Sequence, residues 1–332
     1  MAKRNKNAKN QEGAGPFAEV PQYGNNQMDQ MSRMSQLFEG DNSAFFPDDP
    51  TIVLPENQDE MDTIMISEDM ELEEFDIMSE NLSIKYGTSS IIGTRKYQQD
   101  SVFAGENNGM VFAVVCDGMG GMTSGDLASK TAIRIIAEDF YKLPADADIP
   151  AFFKLEVEKM DNAVSKIDED SSGPGSGTTI VATIIRGGIM YWLSVGDSRI
   201  YVIRKNEIVK VNRDHNYRLR LDAQLEAGNI TMDDYKAEEK NAEALISYIG
   251  MGGVQLADIS AGNNLEENDI IILSSDGLYK RLSNSEVLDV VMCEEPDMKR
   301  AAKRLTDVVM KRTVKSQDNT SVVVMQYNRY QA

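Results

Sequence analysis

From Leu82 to Tyr327 the chain alternates between apolar runs and short polar breaks, and the spacing inside each run separates strands from helices. β-branched and aliphatic residues crowd into "VFAVVC", "TIVATIIRGGIMYWLSV", "SRIYVIRKNEIVKV", "DIIILSS" and "TSVVVMQY". Gly187-Gly188 and Lys205-Asn206 interrupt the second and third of these in the middle, so each reads as a hairpin. Helical spacing predicts a helix in "SGDLASKTAIRIIAEDFYKL", with Leu127, Ala128, Ile135, Ile136 and Phe140 near one face. A second helix is predicted over Ala151–Ile167, its apolar set being Phe152, Leu155, Met160, Ala163, Val164 and Ile167. Ser283 and Glu286 form a capping box for "SEVLDVVM", and Pro296 opens a last helix, "PDMKRAAKRLTDVVMKR". Local hairpins with helices arriving in pairs predict an α+β fold, antiparallel sheets covered by helices, and not the single-strand, single-helix alternation of a dinucleotide-binding fold.

Residues 1–80 follow neither period. They are rich in Asn, Gln and Met and strongly acidic from Glu39 to Glu80, a composition that buries too little surface to offset chain entropy. A disordered tail is expected. Within it "DDPTIVLPE" and "MDTIMISED" both place acid before a Thr-Ile pair and an apolar residue three positions after the threonine. One reading is an acidic tail with incidental apolar residues. The other is a pair of docking motifs at Thr51 and Thr63, adding a strand to a partner or, once phosphorylated, entering an arginine-lined pocket. The pieces resemble ligands of forkhead-associated domains, so such a domain or a Ser/Thr kinase is the partner this second reading implies.

Charge narrows the function. The 332 residues carry a formal net charge of −20, with 54 acidic against 34 basic residues, which argues against nucleic-acid binding. The two cysteines, Cys116 and Cys293, sit in apolar segments and are expected to be buried, with no disulfide framework and a reducing, cytoplasmic setting. No signal peptide is expected, because "QEGAGPF" follows the basic "MAKRNKNAKN" where an apolar stretch would be required. No run approaches the roughly 18 apolar residues of a membrane span. A soluble monomer is expected.

The candidate chemistry lies in aspartates placed at the ends of apolar runs. Asp117-Gly118 follows "VFAVVC", Asp276-Gly277 follows "DIIILSS", Asp318 precedes "TSVVVMQY", and Asp100 stands five residues after Arg95. Asp-Gly alone is a common turn dipeptide. Four carboxylates brought together would repel one another, and hard divalent cations such as Mg²⁺ or Mn²⁺, which prefer oxygen ligands, would resolve that. Glycine beside a ligand lets the main chain come close. Arg95, with its planar fork, suits a phosphate. Together these outline two-metal hydrolysis of a phosphate ester.

In "RKYQQD", "VVCDGMGG", "GSGTT", "VGDSRIY", "DHN", "LSSDGLY" and "QDNTSVVV", taken in that order, the segment Leu82 to Tyr327 resembles the type 2C metal-dependent Ser/Thr protein phosphatases, the PPM family, in its bacterial form. The resemblance implies a four-layer α-β-β-α sandwich over residues 81–332 and hydrolysis of phosphoserine and phosphothreonine in proteins. It implies that Asp117 bridges two ions, Mn²⁺ or Mg²⁺, and that the Gly118 carbonyl binds one of them. Asp276 and Asp318 complete the pair, and Asp100 binds an ion or orients its water. Arg95 holds the substrate phosphate, Asp197 takes a third ion, and the stretch 218–245 forms a flap. Met119 stands where many eukaryotic members have a histidine acid, and Gln99 where many have glutamate. His215, the sole histidine, reads as a loop anchor more than as an acid. Two alternatives remain: a silent scaffold that binds phosphoproteins, and a regulator that dephosphorylates one dedicated partner.

Overall fold

The structure, a computed structural model, describes residues 84–120, 124–167, 175–312 and 316–328. The expected tail over residues 1–80, with Thr51 and Thr63, lies outside the described residues. Three strands open the described chain: β1 (Ile84–Ile91), β2 (Asp100–Asn107) and β3 (Met110–Met119). In β3 side chains alternate between two cores. Met110, Phe112, Val114 and Cys116 face helices, while Val111, Ala113 and Val115 face a second sheet. A strand buried on both faces reads as an unbroken apolar run, which is why "MVFAVVC" shows no period of two.

Helix α1 (Ser124–Phe140) and helix α2 (Ile149–Val164) cover the outer face of that sheet. The sheet continues through β4 (Gly177–Thr178), β5 (Ile180–Arg186), β6 (Ile189–Val195), β9 (Asp258–Ile259) and β10 (Asn263–Asn264), with β10-β6-β5-β3-β2 as its main order. The other sheet has the order β1-β12-β11-β7-β8, built from β7 (Arg199–Arg204), β8 (Glu207–Lys210), β11 (Ile270–Ser274) and β12 (Thr320–Tyr327). Every pairing is antiparallel. Both expected hairpins are present, with positive φ at both central residues of each turn, as a right-twisted two-residue loop requires. Ile200, Val202, Ile271, Leu273, Val323 and Met325 fill the space between the sheets, and Ile270, Ile272, Val322 and Val324 face outward. Those outward residues pack on α6 (Asn284–Glu294) and α7 (Met298–Lys311). The result is the expected four-layer sandwich. Between the hairpins and β9 lie α3 (Tyr217–Glu226) and α4 (Met232–Glu238), which share a small core of Leu221, Tyr235 and Ala242. The short α5 (Asp276–Tyr279) follows β11.

Several details differ from the sequence reading. Helix α2 starts at Ile149, capped by Asp148, and its buried stripe is Ile149, Phe152, Phe153, Glu156, Val157, Met160, Asp161 and Val164, whereas Leu155 is exposed. Two acids in that stripe disguised its phase. Glu156 bonds Lys159 at 2.7 Å, and Asp161 accepts N–H groups of Gly250, Gly252 and Gly253. Leu127 of α1 is likewise exposed, its place being taken by Ile133. Pro296 lies just outside α7, whose N-cap is Asp297. Cys116 is buried but Cys293 is exposed. The capping box of Ser283 and Glu286 is formed.

Candidate functional site

Two sheets contribute to one cluster of carboxylates. Asp100, the first residue of β2, faces Asp117 of β3 directly across the ladder. Asp117 and Gly118 lie inside β3, which runs on to Met119, and so do not terminate it as the sequence suggested. From the other sheet come Asp276, at the start of α5, and Asp318, two residues before β12. Asp197 sits in the link that carries the chain from β6 to β7, that is, from one sheet to the other.

The electrostatics report the convergence. Burial above all, then the charges of Asp100, Asp276, Asp197 and Asp318, push the Asp117 carboxyl well above the usual range. Burial also raises Asp100 to about 7; the Ser275 hydroxyl, donating to Asp100 Oδ2 at 2.6 Å, works against this, while Asp276 and Asp318 add to it. Asp197 is lifted to about 6 by burial and by Asp276 and Asp214. Like charges opposite one another in a ladder are destabilising. Such a group needs protons or cations to be tolerable.

Internal cations take up part of the charge. Lys280 Nζ pairs with Asp276, one helical turn away, and Arg95 Nη2 donates to Asp318 Oδ2. Among the described residues no three acidic, imidazole or thiol side chains already stand close enough together to hold an ion. The inner pair is different: among the described residues no lysine or arginine bonds Asp100, whose Oδ1 is buried without a partner. An orphaned carboxylate oxygen in an all-oxygen donor set fits a hard divalent ion.

Both Asp-Gly pairs owe their glycine to a facing backbone. A Cβ on Gly118 would stand 2.0 Å from the Gly125 carbonyl oxygen, and one on Gly277 2.0 Å from that of Asn319. The glycines therefore let neighbouring chain segments close around each aspartate.

Sequence reasoning missed the residues that fix the Arg95 segment. Asn319 accepts the Gln99 N–H at 2.8 Å and donates to the carbonyls of Ile92 and Tyr97 at 2.9 and 3.1 Å. Gln317 exchanges main-chain and hydroxyl bonds with Thr94 and donates to Gly277 O, joining that segment to α5. The only available signal was their place inside "QDN". Ser275 and Lys280 were missed for the same reason, since their partners are settled by the fold. Tyr279 donates to Asp197 O at 3.0 Å, and its ring lies under the Arg199 guanidinium at 3.5 Å. His215 is fully buried, accepts the Gly196 N–H on Nδ1 at 3.2 Å, and places Nε2 3.2 Å from Asp258. It anchors the turn that carries Asp197.

An arginine and a set of carboxylates thus meet where the two sheets of a four-layer antiparallel sandwich come together. The chain belongs to the protein phosphatase 2C family, whose model matches residues 87–317. Protein phosphatase PhpP of Streptococcus pneumoniae is 28% identical over 227 residues, which cover 68% of this chain and 89% of that protein. A serine/threonine phosphatase of S. agalactiae superposes with a TM-score of 0.65 at 25% identity, over 74% of this chain and all of that one. The catalytic domain of the phosphatase PstP, solved with two manganese ions, gives 0.61 at 25% identity over 74% of this chain and 99% of its own. Among the described residues no helix is long and apolar enough to cross a membrane.

Proposed function

We propose that this phosphatase hydrolyses phosphoserine and phosphothreonine esters of proteins at a centre of two divalent cations held by Asp100, Asp117, Asp276, Asp318 and the Gly118 carbonyl. The observation that carries the reading is the convergence of those carboxylates around Asp117, with Asp100 Oδ1 left without a partner. Mn²⁺ or Mg²⁺, when bound, neutralises the carboxylates and makes water nucleophilic near neutral pH. The protein supplies the rest. Arg95, fixed through Asn319 and Gln317, holds the phosphate oxygens with its fork and balances their charge. Ser275 keeps Asp100 oriented from the opposite sheet. Asp197, held by Tyr279, is the candidate for a third ion. Met119 offers no proton, so the leaving oxygen must take one from water or another group. The full carboxylate set speaks against a silent scaffold.

Hydrolysis of a chromogenic aryl phosphate should require Mn²⁺ or Mg²⁺ and stop with EDTA. Asp117→Asn and Asp276→Asn should each cost several orders of magnitude in turnover and weaken Mn²⁺ binding measured by calorimetry. Wild-type turnover in either variant would refute the site.

A further inference from the structure

Next to the carboxylate cluster is a pocket of about 180 Å³ lined by Arg95, Lys280, Arg281 and Asp318 and by the stretch Ser316-Gln317. Its lining carries three cations; Arg95 and Lys280 are paired with Asp318 and Asp276, which leaves Arg281 as the surplus positive charge, in a chain with 54 acidic and 34 basic residues. Arg281 is held there by neutral groups, donating from Nε to Gln317 Oε1 at 2.9 Å and from Nη2 to the Ser316 carbonyl at 2.5 Å. Those bonds set its orientation and occupy its Nε–Nη2 edge, and among the described residues no carboxylate pairs with it. Arg95 and Lys280 form the wall shared with the centre, through their pairs with Asp318 and Asp276. A guanidinium lining a concave site can take carboxylate or phosphate oxygens, and a surplus positive charge on an acidic protein concentrates anions locally.

We propose that this pocket is a second anion subsite, which takes an acidic group flanking the phosphorylated residue of the substrate, either an aspartate or glutamate carboxylate or a second phosphate. It rests on the reading of the Asp117 cluster as the reacting centre. Arg95 serves the reacting phosphate, and Lys280 with Arg281 serves the flanking anion. The pocket volume holds one such group with a few waters.

The test uses the full chain with Mn²⁺ and three phosphothreonine peptides that differ only in the flanking residues. One set of flanks is alanine, one glutamate, and one a phosphonate analogue of phosphoserine that cannot be hydrolysed. The subsite predicts a kcat/KM about tenfold higher for at least one of the two anionic flanks than for alanine flanks at low salt, shrinking at high ionic strength. A preference confined to the phosphonate marks a phosphate subsite; one shared with glutamate marks a site that reads charge alone. Lys280→Met and Arg281→Met should each lower the ratio, and the double variant should bring it close to one. Because the ratio is taken within each variant, a change in basal turnover does not enter it. Equal turnover of all peptides by the wild type, or a ratio untouched in the double variant, overturns the subsite. No turnover of any ester, the aryl phosphate included, would strike down the catalytic reading and the subsite with it.

Discussion

Replacing Asn319 with alanine removes an amide that holds three main-chain groups of the segment carrying Arg95. Asn319 is almost wholly buried, so water does not readily take over. Each lost bond is worth about 0.5–1.5 kcal/mol net, and a buried group left unpaired costs about 1–3 kcal/mol, so a loss near 3 kcal/mol is expected. The segment stays tied at one end, through Thr94 N–H to Gln317 O at 2.9 Å and Gln317 N–H to Thr94 Oγ1 at 2.8 Å. Part of the loss therefore appears as stability and part as misplacement of the Arg95 guanidinium. At about 1.4 kcal/mol per tenfold, the share that reaches the site should lower kcat/KM roughly ten- to a hundredfold. KM should rise along with it, because a displaced arginine weakens ground-state binding of the phosphate as well. Mn²⁺-dependent hydrolysis of an aryl phosphate, with kcat and KM resolved, and a thermal melt measure the two shares. A variant that melts lower but keeps wild-type kcat and KM would show that Thr94 and Gln317 hold the segment alone, and the assigned role of Asn319 would be wrong.

Burial lifts Glu156 from its ordinary 4.5 to about 7, against the pull of Lys159. The folded state thus binds this proton more tightly than the unfolded chain, so the stability it contributes is complete below pH 4.5 and is lost as pH rises through 7. Offset by its pair with the part-exposed Lys159, the loss should be about 1–2 kcal/mol; Glu156→Gln should be more stable than wild type by that amount at pH 8 in urea unfolding, and a less stable variant would contradict this. Gly277→Ala forces a Cβ against the Asn319 and Thr320 backbone and side chain, and should cost about 1–3 kcal/mol together with weaker Mn²⁺ binding by calorimetry; unchanged affinity would mean that the close approach does not shape the site. Removing residues 1–81 should leave turnover of the aryl phosphate within about twofold, since the described fold closes without them; a large loss would make that segment part of the enzyme.

Much of this architecture is legible along the chain wherever the physics is local. Two-residue turns, the Ser283 capping box and strands sealed on both faces all follow from short windows. The phase of α2 is not legible, because Glu156 and Asp161 lie on its apolar stripe and become acceptable there only through Lys159 and three main-chain N–H groups from residues 250–253. The same holds at the site. The aspartates announce themselves by standing beside glycine and apolar runs, whereas Asn319, Ser275 and Lys280 gain their roles from partners brought in by folding: Asn319 reaches Ile92 across 227 positions. Polar side chains of that kind carry no local pattern, so only three-dimensional placement reveals them.

The link between Ser275 and Asp100 joins the residue that follows β11 of one sheet to the first residue of β2 in the other, and the acidic cluster is likewise divided between segments flanking the two sheets. An ion seated there would be held from both leaves of the sandwich at once. The free energy of loading such an ion would add to the resistance of the two leaves to separation, so whatever loosens them would also weaken its binding.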